Sequence, residues 1–117
     1  MQITWQRLHD DIAGHDLDAE AVERRISELW GQRDTVGCGL VHDFDAAERF
    51  VRALMPAAEI VMTWIPGLQV WNVLIAIPDP RLAATRDHPS AARALLHSAI
   101  ELMAVRESLR AHRRRAA

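Results

Sequence analysis

The apolar run over residues 59–77 limits the fold of this chain more than any other segment. It reads Glu59-Ile60-Val61-Met62-Thr63-Trp64-Ile65, then Pro66-Gly67, then Leu68-Gln69-Val70-Trp71-Asn72-Val73-Leu74-Ile75-Ala76-Ile77, and Pro78 ends it. β-Branched and aromatic residues bounded by turn and breaker residues predict paired strands. If Ile65 and Leu68 flank the turn, Ile60, Met62 and Trp64 share a face with Trp71, Val73 and Ile75. The other face collects Val61, Thr63, Ile65, Val70, Asn72, Leu74 and Ala76, and is too apolar to stand bare in water. Pro-Gly favours a type II turn, which suits a two-residue hairpin poorly, so a longer loop and a shifted register are both open.

Helical patterns flank the hairpin. Trp5, Leu8 and Ile12 predict a short helix over residues 4–13, stopped by Gly14. Asp16 or Asp18 caps a second helix with Val22, Ile26, Leu29 and Trp30 on one face, and Gly31 ends it. Residues 36–41, with glycines at 37 and 39, read as a loop or a weak edge strand. Asp43 is placed to cap a third helix that carries Phe44, Ala47, Val51 and Leu54 on one face and stops at Pro56. Residues 80–87 supply a short third strand. Asp87-His88-Pro89 then opens the longest helix, in which Leu95, Leu102, Val105 and Leu109 follow the helical rhythm around Ser98. The pattern predicts an α+β fold: a small antiparallel, hairpin-based sheet sandwiched by α-helices, with a long C-terminal helix.

At 117 residues the chain is read as one domain over 1–117. Its parts are N-terminal helices over 1–33, an α-β-β-α sandwich core over 42–107 and a basic C-terminal tail over 108–117. A hydrophobic fraction of 50% excludes a disordered chain. The longest apolar run is broken by Pro66, Gly67 and Asn72, short of the roughly 18 residues a membrane helix needs. The first residues lack the layout of a secretion signal, and Cys38 is the single cysteine, so a reducing, cytoplasmic location is expected. All basic residues are arginine, which removes lysine-based Schiff-base and P-loop chemistry. Residues 1–60 hold 6 arginines against 12 acidic residues, and residues 61–117 hold 8 against 4. That asymmetry favours self-association or an acidic partner.

From 42 to 107 the pattern resembles the phage ABA sandwich domain family. The matching pieces are Asp43-Phe44-Asp45-Ala46-Ala47, Trp71-Asn72-Val73 and Pro89-Ser90-Ala91-Ala92-Arg93-Ala94-Leu95-Leu96. The upstream Leu17-Asp18-Ala19-Glu20-Ala21-Val22 looks like the N-terminal helix of such phage proteins. The resemblance implies a small phage or prophage protein with helices on both faces of a sheet, and it carries over no catalytic residues.

The candidate chemistry is sparse. His9-Asp10, His15-Asp16 and His42-Asp43 are pairs that suit a divalent metal, but no further ligand stands at metal spacing, and Asp16 and Asp43 have capping roles. Cys38 lies between glycines with His42 as its nearest base, a spacing that does not hold across a glycine-rich loop, so a small buried hydrophobe is the plainer role. Neither a catalytic residue nor a metal or cofactor is assigned. The C-terminal arginines Arg106, Arg110, Arg113, Arg114 and Arg115, with His112, either complement the helix dipole or meet an acidic partner. No aromatic residue is interleaved with them for base stacking. Trp5, on the shortest helix, is the tryptophan most expected at a partner surface.

The sequence thus assigns partner binding to Arg106, Arg110, Arg113, Arg114 and Trp5. A homodimer seam is expected along Leu95, Leu102, Val105 and Leu109. The functional expectation is a non-enzymatic phage-type protein that binds and inhibits a host protein, as a component of bacterial defence. The alternative is a nucleotide- or nucleic-acid-binding module with its arginines at a dimer groove.

Overall fold

Pro66 and Gly67 divide the apolar run into β1 (Glu59–Ile65) and β2 (Val70–Pro78) in the computed structural model of the chain, which describes residues 4–14, 19–30, 43–79 and 81–116. The strands pair antiparallel, with Trp64 opposite Trp71, Met62 opposite Val73 and Ile60 opposite Ile75. These are the faces the alternation predicts. The register differs from the simplest hairpin, because Ile65 closes against Val70 and not Leu68. Leu68 N–H donates to the Ile65 carbonyl at 3.2 Å, and Gln69 then takes a left-handed conformation with φ 52°. A longer loop with a left-handed last residue accommodates the strand twist that a two-residue Pro-Gly turn opposes. The shift is of two residues, so every side chain keeps its face.

β3 (Arg81–His88) adds to the free side of β2, giving the strand order β1-β2-β3. It runs through Asp87 and His88, two residues the sequence assigns to the helix opening. Ser90 opens that helix instead. Its Oγ accepts from Arg93 N–H at 3.3 Å, while its own N–H donates to His88 Nδ1 at 2.9 Å. The last helix, α4 (Ala91–Ala116), then continues unbroken through the residues read as a basic tail.

The earlier helices are α1 (Trp5–Gly14), α2 (Ala19–Trp30) and α3 (Phe44–Leu54). Asp43 caps α3 as its position predicts, accepting from Asp45 and Ala46 N–H through Oδ1 at 3.0 and 3.4 Å. Asp11 and Arg25 form an ion pair between α1 and α2. His15, Asp16, Asp18, the 36–41 segment with Cys38, His42 and the side chain of Trp30 lie outside the described residues.

The layering centres on α4. It lies over β2 and β3, while the backbones of α1 and α3 approach α4 and not the strands, and α2 packs on α1. Ala92, Ala94, Leu95, Leu96, Ser98, Ala99, Ile100, Leu102 and Ala104 are all buried as a result. Alanine at four of these positions lets neighbours come close to the helix axis. Ser98 donates through Oγ to the Val73 carbonyl of the central strand at 2.8 Å, and this buried bond fixes α4 against β2. The inward face of the sheet supplies Val73, Ile75, Ile77 and Ala84 to the same core. The fold is the α+β arrangement the sequence predicts, an antiparallel sheet with helices and a long C-terminal helix; the described helices stack outward from the sheet with α4 as the middle layer. On the opposite face Asn72 Nδ2 bridges Thr85 Oγ1 and Asp87 Oδ1 at 2.9 and 2.7 Å.

Ser98→Ala removes the bond to Val73 without changing shape much, and is expected to cost about 1–2 kcal/mol in urea denaturation. Gln69→Gly relieves the left-handed residue and is expected to stabilise by about 0.5–1 kcal/mol in the same assay. A destabilised Gln69→Gly protein would mean that the loop does not hold this conformation in solution.

Candidate partner-binding groove

The cover over α4 ends after Ala104. Val105 and Leu109 are 40% and 36% exposed, and the residues between them are polar or charged. Arg106, Arg110 and Arg114 are spaced four apart, so they form one ridge along the helix.

The N-terminus of α1 faces this ridge. Glu107 of α4 accepts from Trp5 N–H through Oε2 at 3.3 Å and from Gln6 N–H through Oε1 at 3.2 Å. Thr4 Oγ1 accepts from Arg7 N–H at 3.1 Å, and Ser108 Oγ donates to Gln6 Oε1 at 3.1 Å. The first N–H groups of α1 are therefore satisfied, two of them by a carboxylate about a hundred residues away in sequence. A negative group at this end also complements the helix dipole.

Between α1 and α4 this contact leaves a groove of about 290 Å³. Trp5, Met103 and Ala111 give it an apolar floor, and Arg106, Arg110, Arg114 and Glu107 form its polar walls. The one carboxylate in these walls is already engaged in capping. Arg106 Nε is buried and has no hydrogen-bond partner among the described residues. Three guanidinium groups above an apolar floor select an anionic group carried on an apolar stem.

Of the residues the sequence assigns to partner binding, the structure brings Trp5, Arg106, Arg110 and Arg114 together. Trp5 contributes as floor and not as a projecting anchor, since it is only 8% exposed. Arg113 is exposed on α4 outside the groove walls. Arg115 turns back along its own helix, with Nε donating to the Ala111 carbonyl at 3.4 Å. The predicted seam requires a correction. Leu95 and Leu102 are fully buried in the chain's own core, because α4 is covered on more than one side there, and only Val105 and Leu109 remain accessible.

A second polar cluster was not legible as a unit. Arg86, from β3, reaches His9 Nε2 of α1 at 2.7 Å and Glu101 Oε1 of α4 at 3.1 Å, both through Nη2. Arginine only donates, so His9 accepts through Nε2 and carries its proton on Nδ1, 3.6 Å from Asp10 Oδ1. The cluster ties three elements together and is structural. Its one sequence signal is that Arg86 stands in register with the inward-facing Leu82 and Ala84, a position that demands a buried partner. Among the described residues no group of three or more His, Cys, Asp or Glu side chains is placed to hold a metal ion, and no helix is long and apolar enough to cross a membrane.

Beside this cluster, His97 packs edge to face on His88, with ring centroids 5.7 Å apart. Its Nε2 is buried and has no hydrogen-bond partner among the described residues. Burial, then the charges of Arg93, His88 and Arg86, push its pKa down from 6.5 to about 4. Between these values the unfolded chain binds a proton at His97 that the folded chain does not. Stability from this residue is therefore present above pH 6.5 and lost as pH falls towards 4. The urea midpoint of the native protein is expected to drop more between about pH 7 and pH 5 than that of His97→Gln, which has nothing to titrate there. Equal drops would show that His97 ionises as freely in the folded chain as in the unfolded one.

No protein-family model matches the chain, and neither does any curated protein or solved structure.

Proposed function

We propose that this is a small non-enzymatic binding protein that takes an acidic, partly apolar segment of a protein partner into the arginine groove. The observation that carries the reading is the ridge of Arg106, Arg110 and Arg114 over the Trp5–Met103 floor, with the adjacent Glu107 already committed to α1. An acidic side chain flanked by apolar residues satisfies both halves of such a groove.

A protein partner fits better than nucleic acid. Binding to single strands draws on exposed aromatic faces for stacking, and Trp5 is buried edge and face in the floor. The groove also has room for a few side chains only, while the rest of the chain is net acidic. In keeping with the phage ABA sandwich resemblance, the proposed role is that of a phage or prophage product that inhibits a host protein as part of the contest with bacterial defence. The single cysteine supports action in the cytoplasm.

The test is capture from a nuclease-treated bacterial lysate by the native protein and by Arg110→Ala/Arg114→Ala, two exposed positions whose loss leaves the core intact. One protein held stoichiometrically by the native chain and released by the double variant is the expected outcome, with retention falling at least about tenfold. Capture that disappears with nuclease, or that the variant leaves unchanged, would overturn the reading.

A further inference from the structure

β1 is the least covered element of the sheet. α4 lies over β2 and β3 and makes no close backbone approach to β1. Val61 is accordingly 52% exposed on the outer face and Trp64 43% exposed on the inner one. Trp64 leans on Trp71, with centroids 5.3 Å apart, and presents its other side outward. Because β1 pairs only with β2, its far side carries backbone N–H and C=O groups that no described strand takes up.

The two edges of the sheet are protected very differently. β3 carries Arg81, Arg86 and Asp87 along its length, charges of the kind that discourage pairing with another strand. β1 carries one charge, Glu59, at its first position, followed by Ile60, Val61, Met62, Thr63, Trp64 and Ile65. It contains no proline and no bulge against β2. This composition pairs readily with an extended strand.

We infer that β1 pairs antiparallel with β1 of a second copy, joining two three-stranded sheets into one sheet of six. The strand is self-complementary about Met62. In that register Met62 meets Met62 of the other copy, Val61 meets Thr63, Ile60 meets Trp64 and Glu59 meets Ile65. The inner face gains a cross-strand pair of an aromatic and a β-branched residue, and no like charges stand opposite each other. The two Glu59 side chains fall at opposite ends, about 20 Å apart along the strands. It is this absence of any self-repelling pair that selects a second copy as the occupant of the edge. The area buried in such a pairing is on the order of 1,000 Å² in total, near the lower bound for a specific interface, so the association is sought over a wide range of concentration. The arginine groove lies on α1 and α4, away from this edge, so the dimer does not depend on the groove's role.

Sedimentation equilibrium from roughly 1 to 200 µM reads the association directly, and a reversible monomer–dimer transition is expected. Val61→Lys/Thr63→Lys changes two exposed outer-face residues and sets lysine across from lysine twice in the symmetric pairing. It is expected to weaken association at least about tenfold while the near-ultraviolet dichroism of the tryptophans is retained. Val61→Glu/Thr63→Glu does the same, and an equimolar mixture of the two variants recovers the dimer through opposite charges. A native protein that stays monomeric throughout, a lysine variant that associates as the native chain does, or a mixture that stays monomeric would each overturn the proposal.

Discussion

The fold depends on α4 being buried on more than one side. From Ala92 to Ala104 this helix is held by the sheet on the face of Ser98, and by α1 and α3 on its remaining surface. A helix in that position is apolar nearly all round, and the polar atoms it does carry must be met inside. Ser98 meets this demand by donating to the Val73 carbonyl. At about 25 cal/mol per Å² of apolar surface removed from water, such a helix contributes more to the core than any element that buries one stripe. The Arg86–His9–Glu101 cluster then orients α1 against the same helix with directional contacts that apolar packing lacks.

This placement explains which parts of the fold were legible. Strand alternation in the hairpin is local, so the two faces of β1 and β2 could be read directly, down to Trp64 sharing a face with Trp71. The register could not, because it depends on Gln69 adopting a left-handed conformation that no composition rule assigns to glutamine. Asp43 was legible as a cap because the capping bond spans two or three residues. Leu95 and Leu102 were misread as a seam for a physical reason: a stripe on a helix shows that a face is buried, not against what. When the chain itself supplies a sheet on one side and helices on another, the same stripe is core.

The groove was legible by halves. Arg106, Arg110 and Arg114 share a face by simple helical arithmetic, whatever surrounds them. Trp5 was marked only because its helix is short, and nothing in its neighbours points to α4. The contact that brings Trp5 to the arginines is Glu107 capping α1 across more than a hundred residues, a pairing with no local signal at either end. His9 was weighed beside Asp10 as a pair that suits a metal, and no metal was assigned to it. Its partner is Arg86, a cation, and a metal ion at Nε2 would have to displace it.

Two mismatches of size account for both uncovered surfaces. A helix is about 10 Å across, and strands lie about 4.8 Å apart, so one helix covers two strands and leaves a third over. α4 sits on β2 and β3, and β1 is the strand left over. In the other direction, β2 with 9 residues spans about 30 Å, whereas the 26 residues of α4 span about 39 Å. The excess is roughly two turns, and it falls at the C-terminal end, where Arg110, Arg113 and Arg114 stand. α1, only 10 residues long, covers part of that overhang and in doing so makes the groove. The widths leave an apolar edge and the lengths leave a basic arm. The same core that holds the chain together therefore sets where, and with what chemistry, it can meet another molecule.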